Sequence, residues 1–336
     1  MEPLEAVMYR PDGLYKSDSA DPFSVLRVTV VGLISITVIV TNMLNLVWFL
    51  SAKGRQSIIN YYFSSLSTAD FICGALVLPA SASTAYLGFW PYDSTSCAII
   101  GYISTSLWVV SVYTYMWIGV DRYLAIKKQS RYEVVQTSTR CQCWIIFSWI
   151  TAFLGCCPPL LGFGEPYFDK KAKFCHLGWN NMPAYSITFG ILVLFPTICT
   201  VIFCYVFVFG KMRKLKIVIT KQGKGYESAL GETLTNPNHV MSFIVIIAFW
   251  LAWIPYISTK LYENVSNESI SAPLNFILFW FAISNSFWKF PIYFMMQPTF
   301  RHGMSLILRS VFCQRSAISE FLQGEEPFFE TVPVPV

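Results

Sequence analysis

Two charged side chains sit where charge is expensive. Lys289 stands in the stretch NSFWKFPIYFMMQPTFRHG (285–303) and Asp70 in LSTAD (66–70), each inside an otherwise apolar run. A buried ammonium has three common uses. It can form a Schiff base with an aldehyde cofactor, neutralise a buried carboxylate as a bound cation would, or stretch along its stem to the water interface. A third group, Asp121-Arg122-Tyr123, sets a carboxylate directly beside a guanidinium. The sequence holds no metal-ligand cluster, nucleophile triad or phosphate-cradling loop. These residues therefore point to a protein that works by exchanging ion pairs and packing, with no covalent chemistry and no metal.

The elements that must position them are membrane spans. Of 336 residues, 54% are hydrophobic and 13% charged, against roughly 25% charged in soluble domains. Seven windows are free of charge: 28–50, 71–92, 94–120, 141–164, 174–210, 240–259 and 269–288. A helix crossing the ~30 Å hydrocarbon core needs about 20 residues, so each window predicts a span. The fifth is too long for a span alone, and its first part reads as loop. The second helix begins before its window, near Ser57, and so contains Asp70. No removable signal peptide is read near Met1. The organisation expected is an outer tail (1–24), a seven-span unit (25–297), a short amphipathic eighth helix (298–313) and a disordered inner tail (314–336). The fold class is thus an all-α membrane protein, a seven-transmembrane helix bundle.

With the N-terminus outside, the inner segments carry about twice as many Lys and Arg residues as the outer ones, which sets the orientation. The C-terminus is then cytoplasmic, in a multi-pass plasma-membrane protein. The net charge of +5 reflects this inner lining and not a nucleic-acid patch. Of ten cysteines, only Cys97 and Cys175 fall on the oxidising side, which predicts one disulfide. Asn264 and Asn267 head glycosylation sequons in the last outer loop. Cys313, after the amphipathic stretch, is a candidate for palmitoylation.

Specific motifs then recur at fixed spacing. Asp121-Arg122-Tyr123 ends the third span, with Cys97 25 residues before Arg122. Asn42 precedes Asp70 by 28 residues. Trp149 with Pro158-Pro159, Pro196, and Phe249-Trp-Leu-Ala-Trp253-Ile-Pro255 occupy the fourth, fifth and sixth spans. Together these resemble the rhodopsin-like G-protein-coupled receptors over residues 25–313. The stretches DRYLAIK (121–127), LGFGEPYF…FCHLGW (161–179), WIPYI (253–257) and AISNSF (282–287) resemble a small orphan branch of that family, thought to signal through Gs with high basal activity.

The resemblance implies roles. Asp121, Arg122, Tyr123, Tyr205 and Tyr293 would form the switch that meets a heterotrimeric G protein. Val112, Pro196 and Phe249, below Trp253 and the helix-bending Pro255, would form the core that repacks on activation. The acidic partner that many relatives place low on the sixth helix is here Thr235, so one lock on the inactive state is missing. Tyr205 lies nine residues after Pro196 where eight is usual, so it is either displaced or restored by a helix bulge. Gln129 and Ser130 replace the residues that often plug into the G protein.

Ligand classes can be sorted in the same way. The position of the amine-binding aspartate is Ser104, which cannot pair with an ammonium. The retinal lysine would fall at Ile283, and Lys289 lies six residues on, about 9 Å deeper at 1.5 Å per residue, so no retinal is expected. The pocket is expected to include Ser104, Trp108, Tyr256, Lys260 and His176 and to take a small molecule or lipid, unless the outer loop Phe174–Trp179 fills it as a built-in activator. Lys289 occupies the place of an asparagine that in relatives helps line a sodium site, with Asp70, Ser111 and Asn285. Its ammonium is expected to replace the sodium and neutralise Asp70; snorkelling to the inner interface is the alternative. The competing function is a non-signalling seven-helix protein acting as a binding or dimerisation partner. A transporter is disfavoured, because Asp70 and Lys289 are too few to line a pathway.

Overall fold

The computed structural model describes residues 23–51, 54–161, 167–177, 183–222, 237–266 and 268–311. Its helices are α1 (Ser24–Phe49), α2 (Ile58–Leu87), α3 (Ser94–Lys127), α4 (Ser138–Cys156), α5 (Pro183–Phe189 continuing to Phe195–Gln222), α6 (Pro237–Ser266), α7 (Ala272–Met296) and α8 (Pro298–Val311). Six are long and apolar enough to cross a membrane. The seventh of the bundle, α7, carries Asn275, Ser284, Asn285 and Lys289, all buried, and these polar residues lower its hydropathy without breaking its helical run. Helix α7 packs on α6 and α1, α3 packs on α5 and α4, and α8 turns back under α1 and α7.

Local chemistry sets the boundaries. The Asp93 carboxylate caps α3 by accepting from the Ser96 N–H at 3.2 Å, and Thr137 caps α4 by accepting from Arg140 at 3.3 Å. Each satisfies a backbone donor that a helix start leaves open. Gly88, at φ +86°, ends α2 in the left-handed conformation that glycine adopts without a Cβ clash. Two π turns interrupt the spans, Cys73–Val77 in α2 and Gly190–Leu194 in α5, each shortly before a proline (Pro79 and Pro196). A Cβ on Gly303 would lie 1.8 Å from the Trp48 ring, so the bare backbone of α8 is what lets it seat on α1.

The outer loop forms a hairpin of β1 (Tyr167–Asp169) and β2 (Phe174–His176), with Phe168 opposite Cys175. Its turn is built by Asp169, whose Oδ1 accepts from the N–H groups of Lys171 (2.7 Å) and Ala172 (3.1 Å). The Cys97–Cys175 disulfide fixes β2 to α3. The extended helices differ from the charge-free windows because charge ends a window without ending a helix. Lys260 and Glu263 lie inside α6, so Asn264 stands in the exposed last turn of that helix and not in a loop. Asn267, Thr235, Cys313 and both tail assignments beyond residues 23–311 lie outside the described residues.

Candidate functional site

At the end of the bundle away from the Cys97–Cys175 disulfide, Asp121 and Arg122 are both buried on α3. Arg122 Nε donates to Asp121 Oδ2 at 2.9 Å, and Nη2 meets the same oxygen. The other carboxylate oxygen accepts from the Tyr132 hydroxyl at 2.8 Å. Burial and the Asp121 charge push the Tyr132 phenol above its ordinary pKa, so it stays protonated and donating. Tyr132 belongs to a single helical turn, Tyr132–Val135, in the loop after α3. Sequence reasoning missed it because no periodicity connects a loop residue to a helix eleven positions earlier. Tyr123 lies outside this pair, against Phe207 at 4.8 Å, with its oxygen accepting from Lys127.

A core of packed rings lies above. Phe249 meets Tyr115 (4.7 Å between centroids), Trp108 (6.4 Å) and Trp253 (6.2 Å), and Trp253 meets Trp108 edge-on at 5.6 Å. Val112, Tyr205, Phe249 and Tyr293 share one buried cluster. Tyr293 is enclosed by Phe49, Phe63 and Phe300. Pro196 is not part of this core. It is exposed, while the next residue, Thr197, is buried. The π turn Gly190–Leu194 adds a residue to α5 just before it, which rotates Pro196 outward. Thr197 stands eight residues before Tyr205, so the irregular spacing reflects the position of Pro196, and Tyr205 keeps its inward face. Tyr115 was also missed. It continues the face of Trp108, Ser111 and Val112 at helical spacing, which was the signal available.

Between these two layers and the hairpin lies a cavity of about 540 Å³. Its lining includes Ser104, Trp108, Tyr256 and His176 from the sequence expectation, together with Trp253, Phe174, Phe279 and Ile283. Lys260 is not in the lining. It is drawn away by Asp169 (3.3 Å) and Glu263 (3.2 Å), and Glu263 also binds Lys171 at 3.0 Å. Burial opposes the Asp169 carboxylate, but Lys260, His176 and the turn amides outweigh it and hold its pKa below the usual value. Burial pushes the His176 imidazole down to about 4, so at neutral pH it brings no positive charge to the cavity.

At the cavity floor the ammonium of Lys289 is in direct contact with Asp70 Oδ2. Both residues are buried, Lys289 2% and Asp70 7% exposed, so Lys289 does not reach the interface. Asn285 and Ser111 stand beside them in the lining, and Ser111 donates its hydroxyl to Leu107 O at 3.0 Å. Asn42 ties α1 to this region of α7 by donating to Ser286 O at 3.0 Å. The ammonium is thus the counter-charge beside Asp70.

Residues 41–289 match the profile of the 7 transmembrane receptor (rhodopsin family). The chain is 27% identical to the mouse G-protein coupled receptor 52 over 276 residues, 80% of this chain and 76% of that one. It is 26% identical to the mouse probable G-protein coupled receptor 21 over 252 residues, 73% and 72% of the two chains. Among solved structures, squid rhodopsin superposes with a TM-score of 0.72 at 20% identity, over 90% of this chain and 93% of the other. That last likeness is one of fold.

Proposed function

This chain belongs to the rhodopsin family of seven-transmembrane receptors, a membrane receptor and not an enzyme, and from that premise we propose that it passes a signal from its central cavity to a heterotrimeric G protein, with Gs favoured. The observation that carries this reading is the continuous stack from cavity to inner face. Trp253 and Trp108 line the cavity, Phe249 and Tyr115 pack beneath them, and Tyr205 joins the same buried cluster near the Arg122–Asp121 pair. A change of occupancy at Trp253 has a packed route to Arg122, and packed layers with two arrangements are what switching folds use. In the structure Arg122 is held by Asp121, whose other oxygen is capped by Tyr132, which fits a resting state in which the guanidinium is not offered to a partner. The orientation, N-terminus outside and C-terminus inside, belongs to the same reading.

Lys289 in this reading acts as a built-in cation. A buried carboxylate needs a counter-charge, and here the chain supplies it covalently instead of drawing sodium from solution. The test of signalling is cAMP in transfected cells without added ligand. Basal cAMP is expected above that of mock cells, and Arg122→Ala at equal surface expression is expected to remove the excess. A receptor silent with every G protein would favour a binding or dimerisation partner instead.

A further inference from the structure

Part of the cavity lining between α5 and α6 is also exposed at the surface. Helices α5 and α6 touch at their inner halves, where Phe243 meets Tyr205 at 5.4 Å and Phe209 at 4.3 Å. Along their described lengths the two backbones approach closely at very few points. At the level of the cavity, Leu194 and Ile198 of α5 face Trp250, Ile254 and Ile257 of α6, and all five line it. Ile254 is also 51% exposed on the outer surface and Ile257 40%. A residue that lines a cavity and faces outward marks a rim. This rim is flanked by the exposed apolar Ile191, Phe195, Ile202 and Leu251, the kind of surface that a span presents to hydrocarbon.

The described part of the outer end is roofed instead. Phe174, His176 and Tyr256 pack around Phe279 at 4.8, 5.5 and 5.1 Å. The hairpin carrying this roof is strapped down by the Lys260–Asp169 and Lys171–Glu263 pairs, and by Trp280 Nε1 donating to Ala172 O at 3.0 Å. The backbone of β2 also lies so near α3 that a Cβ on Gly101 would meet His176 at 2.9 Å.

The chemistry inside is apolar with a few unspent donors. Trp108 Nε1 and Asn285 Nδ2 are buried, line the cavity, and have no hydrogen-bond partner in the protein. Both are N–H donors, so an occupant that satisfies them must bring acceptors; His176 Nε2, also unpartnered in the lining, can donate or accept. Among the described lining residues the only charges, Asp70 and Lys289, neutralise each other. An acid or an amine would enter without a counter-ion, which is costly in such a site.

We propose that the cavity binds a neutral single-chain lipid with a carbonyl or ester acceptor, and that this lipid enters sideways from the bilayer between α5 and α6. The acyl chain lies along the aromatic and aliphatic lining, and the acceptor meets Trp108 and Asn285. A cavity of this size is within the usual range for small-molecule sites. The inference rests on the cavity being the ligand site of a receptor, but its test does not use signalling.

The test is photolabelling of the full-length receptor in phosphatidylcholine nanodiscs with a diazirine-bearing monoacylglycerol. Labelling is expected within 194–198 and 250–257, competed by unlabelled monoacylglycerol and about tenfold less effectively by the fatty acid of the same chain length. Ile254→Trp and Ile198→Trp, which narrow the rim from opposite sides, are each expected to slow labelling by about tenfold. Ile202→Trp, on the outer surface of α5, and Glu263→Gln, in the hairpin strap, should leave the rate unchanged. Absence of competable labelling, equal competition by the fatty acid, or acceleration by Glu263→Gln with no effect of the rim variants would each overturn the proposal. A receptor silent in the cAMP assay but labelled as described would lose its proposed signalling role and keep this site.

Discussion

At the scale of single residues, the energetics centre on Lys289 and Asp70. Two charges out of water are tolerated because each is the other's counter-ion, and removing one is far worse than removing both. Asp70→Asn is therefore expected to cost about 3 kcal/mol by stranding the ammonium, read as a fall in the thermal midpoint of the purified receptor. Asp70→Leu with Lys289→Met should recover most of that loss, and an equal loss in the double variant would show that the pair is not the cause. The unmodified receptor should also be insensitive to sodium, with sensitivity appearing in Lys289→Asn; a sodium effect on the unmodified protein would remove the built-in-cation reading. The pair was legible in the sequence because two lone charges in apolar runs must find each other or water. The diversion of Lys260 was only half legible: Glu263 lies three residues on along the same helix, a spacing that the sequence shows, but Asp169 reaches it from the hairpin, far away in the chain. Ser104, Trp108, Tyr256 and His176 could be placed by helical spacing or by proximity to the disulfide; Lys260 shares the α6 face but has a stronger partner outside the cavity.

At the scale of elements, the outer hairpin is held by charge and by a neutral histidine. His176 has a folded pKa near 4 against its ordinary 6.5, so the unfolded hairpin binds a proton more readily than the folded one. Its contribution to stability is complete above pH 6.5 and falls as the pH drops toward 4, by up to about 1.4 kcal/mol per unit. Asp169, with its depressed pKa, adds a loss only at lower pH, as the pH falls below the ordinary carboxylate value of about 3.9 toward its own. The protection of residues 167–177 against amide hydrogen exchange, taken relative to the unfolded chain at each pH, should fall between pH 6.5 and 4, and His176→Phe should flatten that dependence; an unchanged profile in the variant would assign the pH response elsewhere. Helix α8 depends on a different feature, the missing Cβ of Gly303 against Trp48. Gly303→Leu should unseat α8 from α1, seen as faster proteolysis at the inner end, with the bundle itself intact. The π turn of α5 belongs to this scale too. One added residue turned Pro196 outward and left Thr197 and Tyr205 facing the core, a consequence that spacing alone left open between displacement and repair.

At the scale of the whole molecule, the sequence by itself determined the class of fold and named the residues of the proposed switch. Seven charge-free runs, the excess of basic residues on one side and two cysteines on the other require a membrane bundle with one outer bridge. The reason is that hydrocarbon leaves helices few alternatives. The order of Asn42, Asp70, Asp121-Arg122-Tyr123, Trp253 and Pro255 then placed the family. Tertiary structure alone decided what those residues touch. Tyr132 capping Asp121 from a loop, Lys260 bound to the hairpin, and the parting of α5 from α6 beside the cavity all join positions far apart in the chain. Periodicity reports which face of a helix is buried, but not which neighbour buries it or where two neighbours fail to meet.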